Sequence, residues 1–119
     1  MIILNHSLIS PIKIIYIDST NDISSTIPSD FLIVRNLEIA KFCSENNVPY
    51  SSEVSTILES LLLVNLGAKF LICDSLEFAI ELQKLAESYL FDCKVLLKIQ
   101  NENEIEHIAR HGIDGVIFS

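Results

Sequence analysis

Six side chains stand where a parallel α/β protein does its chemistry: Asp18, Arg35, Glu53, Asp74, Lys98 and Gln100. Each lies at or just past the carboxyl end of a short apolar run, and ligands of such folds bind beyond the carboxyl ends of the strands. Lys98 is the most telling, because it interrupts the run Val95-Leu96-Leu97-Lys98-Ile99. A desolvated amine there could form a Schiff base or hold an anion. The other reading lays its stem along the sheet and pairs its ammonium with Glu53 or Asp74. Glu53 and Asp74 are the acid–base candidates beside it, so Lys98, Glu53 and Asp74 form the candidate catalytic set. Asp18, Arg35, Lys98 and Gln100 form the candidate ligand-binding set. Arg35 precedes Asn36 at a helix start, where it meets an anion or stays solvated. Asp74 opens Asp74-Ser75-Leu76-Glu77, a capping-box-like start that assigns it to the helix instead.

The remaining reactive residue types point away from common chemistries. His107 and His111 are spaced i, i+4, but no Glu lies between them and His6 is distant in sequence, so they read as an exposed helical pair rather than metal ligands. Cys43, Cys73 and Cys93 make neither an even disulfide set nor a paired-Cys zinc pattern. Each has apolar neighbours, as buried reduced thiols of a cytoplasmic protein do. Cys93-Lys94 comes nearest to an activated thiol, without a nearby His. Three glycines supply neither GxGxxG nor a P-loop, so no nucleotide, other cofactor or metal is expected.

The elements that must position these residues follow one repeated phrase of apolar run, polar break and helical pattern. The runs are Ile14–Ile17, Phe31–Val34, Val48–Ser52, Phe70–Cys73, Val95–Ile99 and Val116–Phe118, with Ile2–Leu4 as an edge strand or hairpin arm. Each is short and apolar on both faces, the pattern of covered parallel strands. Between them, Asn36 caps a helix over 37–46, a second helix spans 56–66, a third runs from Leu76 to about Leu90, and Asn101 opens a fourth. Gly67 and Gly112 fall just past helix ends, where a left-handed residue terminates a helix. The reading is one α/β domain over 1–119, three-layered or a partial barrel, with a mostly parallel sheet of five or six strands.

Two segments break the phrase. Residues 18–30 are mostly Ser, Thr, Asp and Asn without helical periodicity, and read as a structureless crossover or a functional loop. The helix over 56–66 is apolar in nearly every direction and must be covered on both sides. A short chain has few central helices, so a homodimer or larger homo-oligomer through Ile57, Leu61, Leu62 and Val64 is expected.

Composition narrows the partners. Half of the 119 residues are hydrophobic, which excludes a disordered chain, and the formal net charge of −8 opposes binding to nucleic-acid backbones. No uncharged run approaches a bilayer span and no signal-peptide pattern opens the chain, so a cytoplasmic protein off the membrane is expected.

The joints Leu66-Gly67-Ala68-Lys69-Phe70-Leu71-Ile72 and His111-Gly112-Ile113-Asp114-Gly115-Val116-Ile117-Phe118 resemble those of (β/α)₈ enzymes. The stretch from Lys98-Ile99-Gln100 to Asp114-Gly115-Val116-Ile117 is similar to part of the phosphoenolpyruvate/pyruvate barrel superfamily. That resemblance covers residues 66–119. It implies a metal-binding Glu where this chain has Gln100, a poor ligand for a hard cation. The length suits half a barrel at most, so the chemistry does not follow the fold. The expected function is therefore a non-catalytic α/β domain acting by self-association or protein interaction. The alternative is an enzyme or binding protein for small phosphate- or carboxylate-bearing molecules, using Lys98 and Arg35 on the anion.

Overall fold

In the computed structural model, which describes residues 1–119, seven strands form one all-parallel sheet. They are β1 (Ile2–Leu4), β2 (Ile14–Ile17), β3 (Phe31–Val34), β4 (Ser51–Glu53), β5 (Phe70–Cys73), β6 (Lys94–Ile99) and β7 (Gly115–Phe118). The helices are α1 (Leu37–Glu45), α2 (Ile57–Asn65), α3 (Leu76–Ser88) and α4 (Ile105–Arg110). Strand order is β1-β7-β6-β5-β4-β3-β2, so β2 to β7 are laid down in sequence and β1 joins the far edge beside β7.

The strand count exceeds the five or six expected because Ile2–Leu4 pairs in full parallel register with Gly115–Ile117. β4 starts later than the sequence suggests. Val48 N donates to Cys43 O and so closes the end of α1, and Pro49 has no N–H to give a ladder. Residues 18–30 are not structureless either: Thr20–Ser25 form a 3₁₀ helix, entered through a capping box between Ser19 and Asp22.

The sheet curls into a half-barrel, as the folded-back link between its two edges requires. Seven strands at about 4.8 Å spacing would hold β1 and β2 roughly 29 Å apart if flat. Only residues 5–13 join these two edges, and they double back. Asn5 N donates to Ser10 O (2.9 Å) and Ile12 N to Asn5 Oδ1 (3.4 Å), which leaves Ile14 within about 16 Å of Asn5. Asn5 Nδ2 also holds Phe118 O (3.0 Å), tying the link to β7.

Helices cover only the convex face, so of the two architectures expected the partial barrel holds and the three-layer sandwich does not. Ile17, Val34, Leu71, Cys73, Val95, Leu97 and Val116 face the helices and join Ile39, Leu63, Leu82 and Ile108 in the main core. The concave face has its own cluster of Ile33, Ile72, Leu96 and Ile117, against which Ile12 of the link packs. Contacts inside the curl skip a strand. Phe31 stacks on Phe70 across β4 with ring centres 5.8 Å apart, and Lys98 reaches Glu53 across β5. Side chains of alternate strands share a layer in the same way inside a closed (β/α) barrel.

The Asp114-Gly115 joint has a structural explanation. Asp114 Oδ2 accepts from Val95 N (2.9 Å), its N–H donates to buried Gln83 Oε1 (3.0 Å), and its carbonyl accepts from Ile2 N (2.9 Å). One residue thereby stitches α3, β6 and β1 to the start of β7. Gly115 then lies where β1 approaches closest. An added Cβ would meet the Ile2 carbonyl oxygen at 2.5 Å, Ile2 Cβ at 2.7 Å and Leu96 Cδ2 at 2.8 Å. Replacing Gly115 by Ala should therefore destabilise the fold by about 2 kcal/mol or more, since backbone cannot yield as a side chain can. Gly67→Ala, at φ +80° in open space, should cost only about 1 kcal/mol of backbone strain. Urea unfolding of both variants compares the two costs.

Candidate functional site

Five of the six candidate residues gather at the carboxyl-end mouth of the half-barrel. Lys98 and Glu53 point inward from β6 and β4 as its uppermost layer, above interior layers that are almost wholly apolar. Their ion pair spans 2.6 Å, and the two side chains are 29% and 26% exposed. Asp74 follows β5 beside Lys98, because Cys73 is in register with Leu97. Its carboxylate stands 3.7 Å from the ammonium and is largely exposed. Arg35 follows β3, its guanidinium 4.3 Å above the Tyr16 ring and its Nε 3.5 Å from Asp18 Oδ1. Gln100 is the exception: it is exposed beyond β6 and its side chain makes no hydrogen bond.

Asp74 is not the cap of α3. Ser75 is: its Oγ accepts from Phe78 N (3.2 Å), while Asp74 stays free to face Lys98. Asn36 and Thr56 cap α1 and α2 in the same manner. Tyr16 belongs to the mouth and is absent from the set picked by residue type. Its signal was available, since it alternates with Ile14 on the face of β2 that points into the curl. Only the curl brings this face within electrostatic range of Lys98.

Electrostatics separate the two readings of Lys98. The hydrogen bond that its ammonium donates to Glu53 is the main cause that raises its pKa; burial opposes it, while the charges of Glu53, Tyr16 and Asp74 assist. The amine is therefore held as ammonium, the reverse of what a Schiff-base nucleophile requires. The pair is largely self-satisfied, and an anion would have to compete with Glu53 for it.

The other reactive residue types lie apart from the mouth. His6 contacts Glu102 at 2.9 Å and packs edge-on to Phe118, which anchors the link of residues 5–13. His107 and His111 are exposed, with rings 5.0 Å apart edge to face, and no three His, Cys, Asp or Glu side chains cluster as metal ligands. All three thiols are free and buried. Burial pushes Cys73 up to about 12 and Cys93 to about 11, and raises Cys43 as well. None is an activated nucleophile.

Comparison with protein-family models yields no match, and comparison with curated protein sequences yields none. The chemistry of the mouth must therefore be read from its own side chains.

Two outcomes are expected. The thiols hold their protons more tightly folded than unfolded, so their stabilising effect is complete below about pH 9 and is lost as pH climbs toward 12. Each such group costs about 1.4 kcal/mol per pH unit within its window. Melting temperature should fall steeply above pH 9, and iodoacetamide should label the thiols only as fast as the protein unfolds. Separately, Lys98→Met should cost about 1–2 kcal/mol, by stranding a mostly buried carboxylate. The double variant Lys98→Met/Glu53→Gln should recover much of that loss in a double-mutant cycle read by urea unfolding.

Proposed function

We propose that the chain is a non-catalytic association domain that pairs with a second copy of itself through the outer face of α2. One observation carries this reading. α2 is apolar nearly all round, yet among its apolar residues it fully buries only Leu63. Leu58 is left 69% exposed and Leu62 43%. Leu58, Leu61, Leu62 and Asn65 follow the i, i+3, i+4, i+7 spacing of a single stripe. The expectation that this helix is covered on both sides therefore fails within one chain.

The stripe continues onto the end of α3. Leu61 and Val64 line a recess of about 480 Å3 together with Tyr89, Leu90 and Phe91, with Asp92 as its one charged residue. At the rim of the recess, Tyr89 and Leu90 protrude at 72% and 83% exposure, Leu90 with φ +53°. A knob and a hollow on the same surface suit a two-fold contact, in which each copy must supply both. Leu58, Leu62, Tyr89 and Leu90 expose on the order of 500 Å2 between them. With their neighbours they approach the roughly 800 Å2 per partner of a standard interface.

Charge selects the same face. Two copies of a chain at −8 repel least where they meet through the least charged surface. α1, α3 and α4 all carry acidic and basic residues outward, whereas α2 has only Glu59. That carboxylate is turned back to accept from Ser55 N (3.1 Å). Leu58 belongs with Leu61 and Leu62 in this interface and is the most exposed residue of α2 in it, while Ile57 and Val64, at its margin, also pack against the main core.

Sedimentation velocity from low to several hundred micromolar chain tests the pairing. The expected result is a dimer that Leu58→Glu/Leu62→Glu converts to a monomer with unchanged melting temperature at low concentration. A wild-type monomer throughout that range overturns it.

A further inference from the structure

β3 and β4 separate at their amino ends. They pair only at Ile33–Ser51 and Val34–Ser52, because Pro49 has no N–H for a ladder and the Val48 N–H closes α1. Phe31, Leu32, Pro49 and Tyr50 therefore flank a gap between neighbouring strands. The connection from β2 to β3 supplies a further wall through Ile23, Ile27 and Pro28. Two hollows of about 270 and 220 Å3 open there, and they share Pro28, Asp30, Leu32 and Pro49. Joined into one cleft, they fall at the lower end of the range for small-molecule pockets.

The two hollows differ in character. The larger is walled mainly by carbon, from Ile23, Ile27, Pro28, Leu32, Val48 and Pro49. Its polar members are Asp30, Asn47 and Thr26, whose hydroxyl already donates to Ile23 O (2.7 Å). The smaller hollow carries Ser29, Asp30, Ser51 and Lys69. Ser51 is in register with Ile33 and two residues before Glu53, so it faces the inside of the curl. It is 2% exposed, yet its hydroxyl makes no hydrogen bond, whereas Ser52 on the opposite face donates to Val34 O (3.2 Å). No fully enclosed side-chain oxygen or nitrogen of the chain lacks a partner, so Ser51 Oγ opens on the hollow it lines. A hydroxyl so placed is costly to leave unpaired, and a ligand atom in the hollow satisfies it.

The charge free to meet a ligand is positive. Asp30 Oδ2 accepts from Ile27 N (3.0 Å) while Asp30 N donates to Ile27 O (2.9 Å), so this carboxylate closes its own turn. Lys69 makes no ion pair, and its ammonium stands 5.8 Å from the centre of the Phe70 ring. One polar hollow with a free cation and a buried hydroxyl thus opens into one apolar hollow.

We propose that this cleft binds a monocarboxylic acid with an apolar body, of medium-chain fatty-acid size. Its carboxylate lies with Ser51 Oγ and Lys69 Nζ, and its body lies along Ile23, Ile27 and Val48. The connection of residues 18–30 thereby acquires a role as a wall of the site. The cleft shares no residue with α2 or with Tyr89 and Leu90, so binding of the acid and pairing of two copies are independent.

Isothermal titration of the full chain with butyrate, hexanoate, octanoate, octanol and inorganic phosphate tests this. Octanoate should bind, with affinity rising up to about fourfold for each methylene added along the series. Octanol and phosphate should bind at least tenfold more weakly than octanoate. Ser51→Ala should weaken octanoate severalfold at an unchanged melting temperature, since no bond within the protein is lost. Lys69→Gln should weaken it at least fivefold, and Ile27→Asp should abolish it. Leu58→Glu/Leu62→Glu should leave octanoate affinity unchanged. Silence from octanoate overturns the proposal, as does octanol binding equally well. An affinity untouched by Ser51→Ala and Lys69→Gln overturns it too. Loss of binding in Leu58→Glu/Leu62→Glu does the same, by placing the acid on α2.

Discussion

Asn5 sits where the two ends of the sheet are drawn together, and most of the architecture depends on the bonds it makes. Its backbone takes φ +61°, which Asn tolerates better than most residues. Its N–H closes the turn to Ser10, its amide grips Phe118 O, and its side-chain oxygen receives Ile12. With β1 and β2 at opposite edges and a tether folded back on itself by these bonds, the sheet cannot lie flat. Curling follows, and curling turns one face into an interior that no helix need cover. Layers from alternate strands then fill that interior, with Phe31 and Phe70 below and Lys98 and Glu53 above.

That geometry explains why an ion pair can end an apolar interior. At the mouth, water still reaches Lys98 and Glu53, so their desolvation is partial and their mutual contact offsets it. One layer lower, the same pair would be enclosed by Ile33, Ile72, Leu96 and Ile117 and would be far more costly. The mouth is thus the one level of the curl where charge is tolerated. It is also the level at which strand ends and following loops bring several elements together.

The helices show how local and global demands divide. Asn36, Thr56 and Ser75 cap their helices by reach alone, and Gly67 and Gly112 close helices at positive φ, as their positions in sequence suggest. Asp74 and Ser75 are both competent caps one residue apart. Which of them serves is decided by where β5 ends against β6, because that register aims Asp74 at Lys98. The all-round apolar character of α2 was equally plain in sequence. What was not plain is that the convex side offers cover for only one of its faces, since the opposite side of the sheet is folded inward.

The order of residues by itself determined the alternation of strands and helices, most of the helix ends and the parallel sense of the sheet. These are set by periodicity and by contacts within a few residues. It also marked Asp18, Arg35, Glu53, Asp74 and Lys98 as strand-end groups. Tertiary structure alone decided the rest: β1 as a paired seventh strand, the curl, the pairing of Lys98 with Glu53 and the place of Tyr16 beside them. The physical reason is distance along the chain. Glu53 and Lys98 are brought together across an intervening strand, and Ile2 lies beside Gly115 through a ladder joining the two ends of the chain. No local pattern encodes such contacts; they follow from a sheet that must close on a short tether.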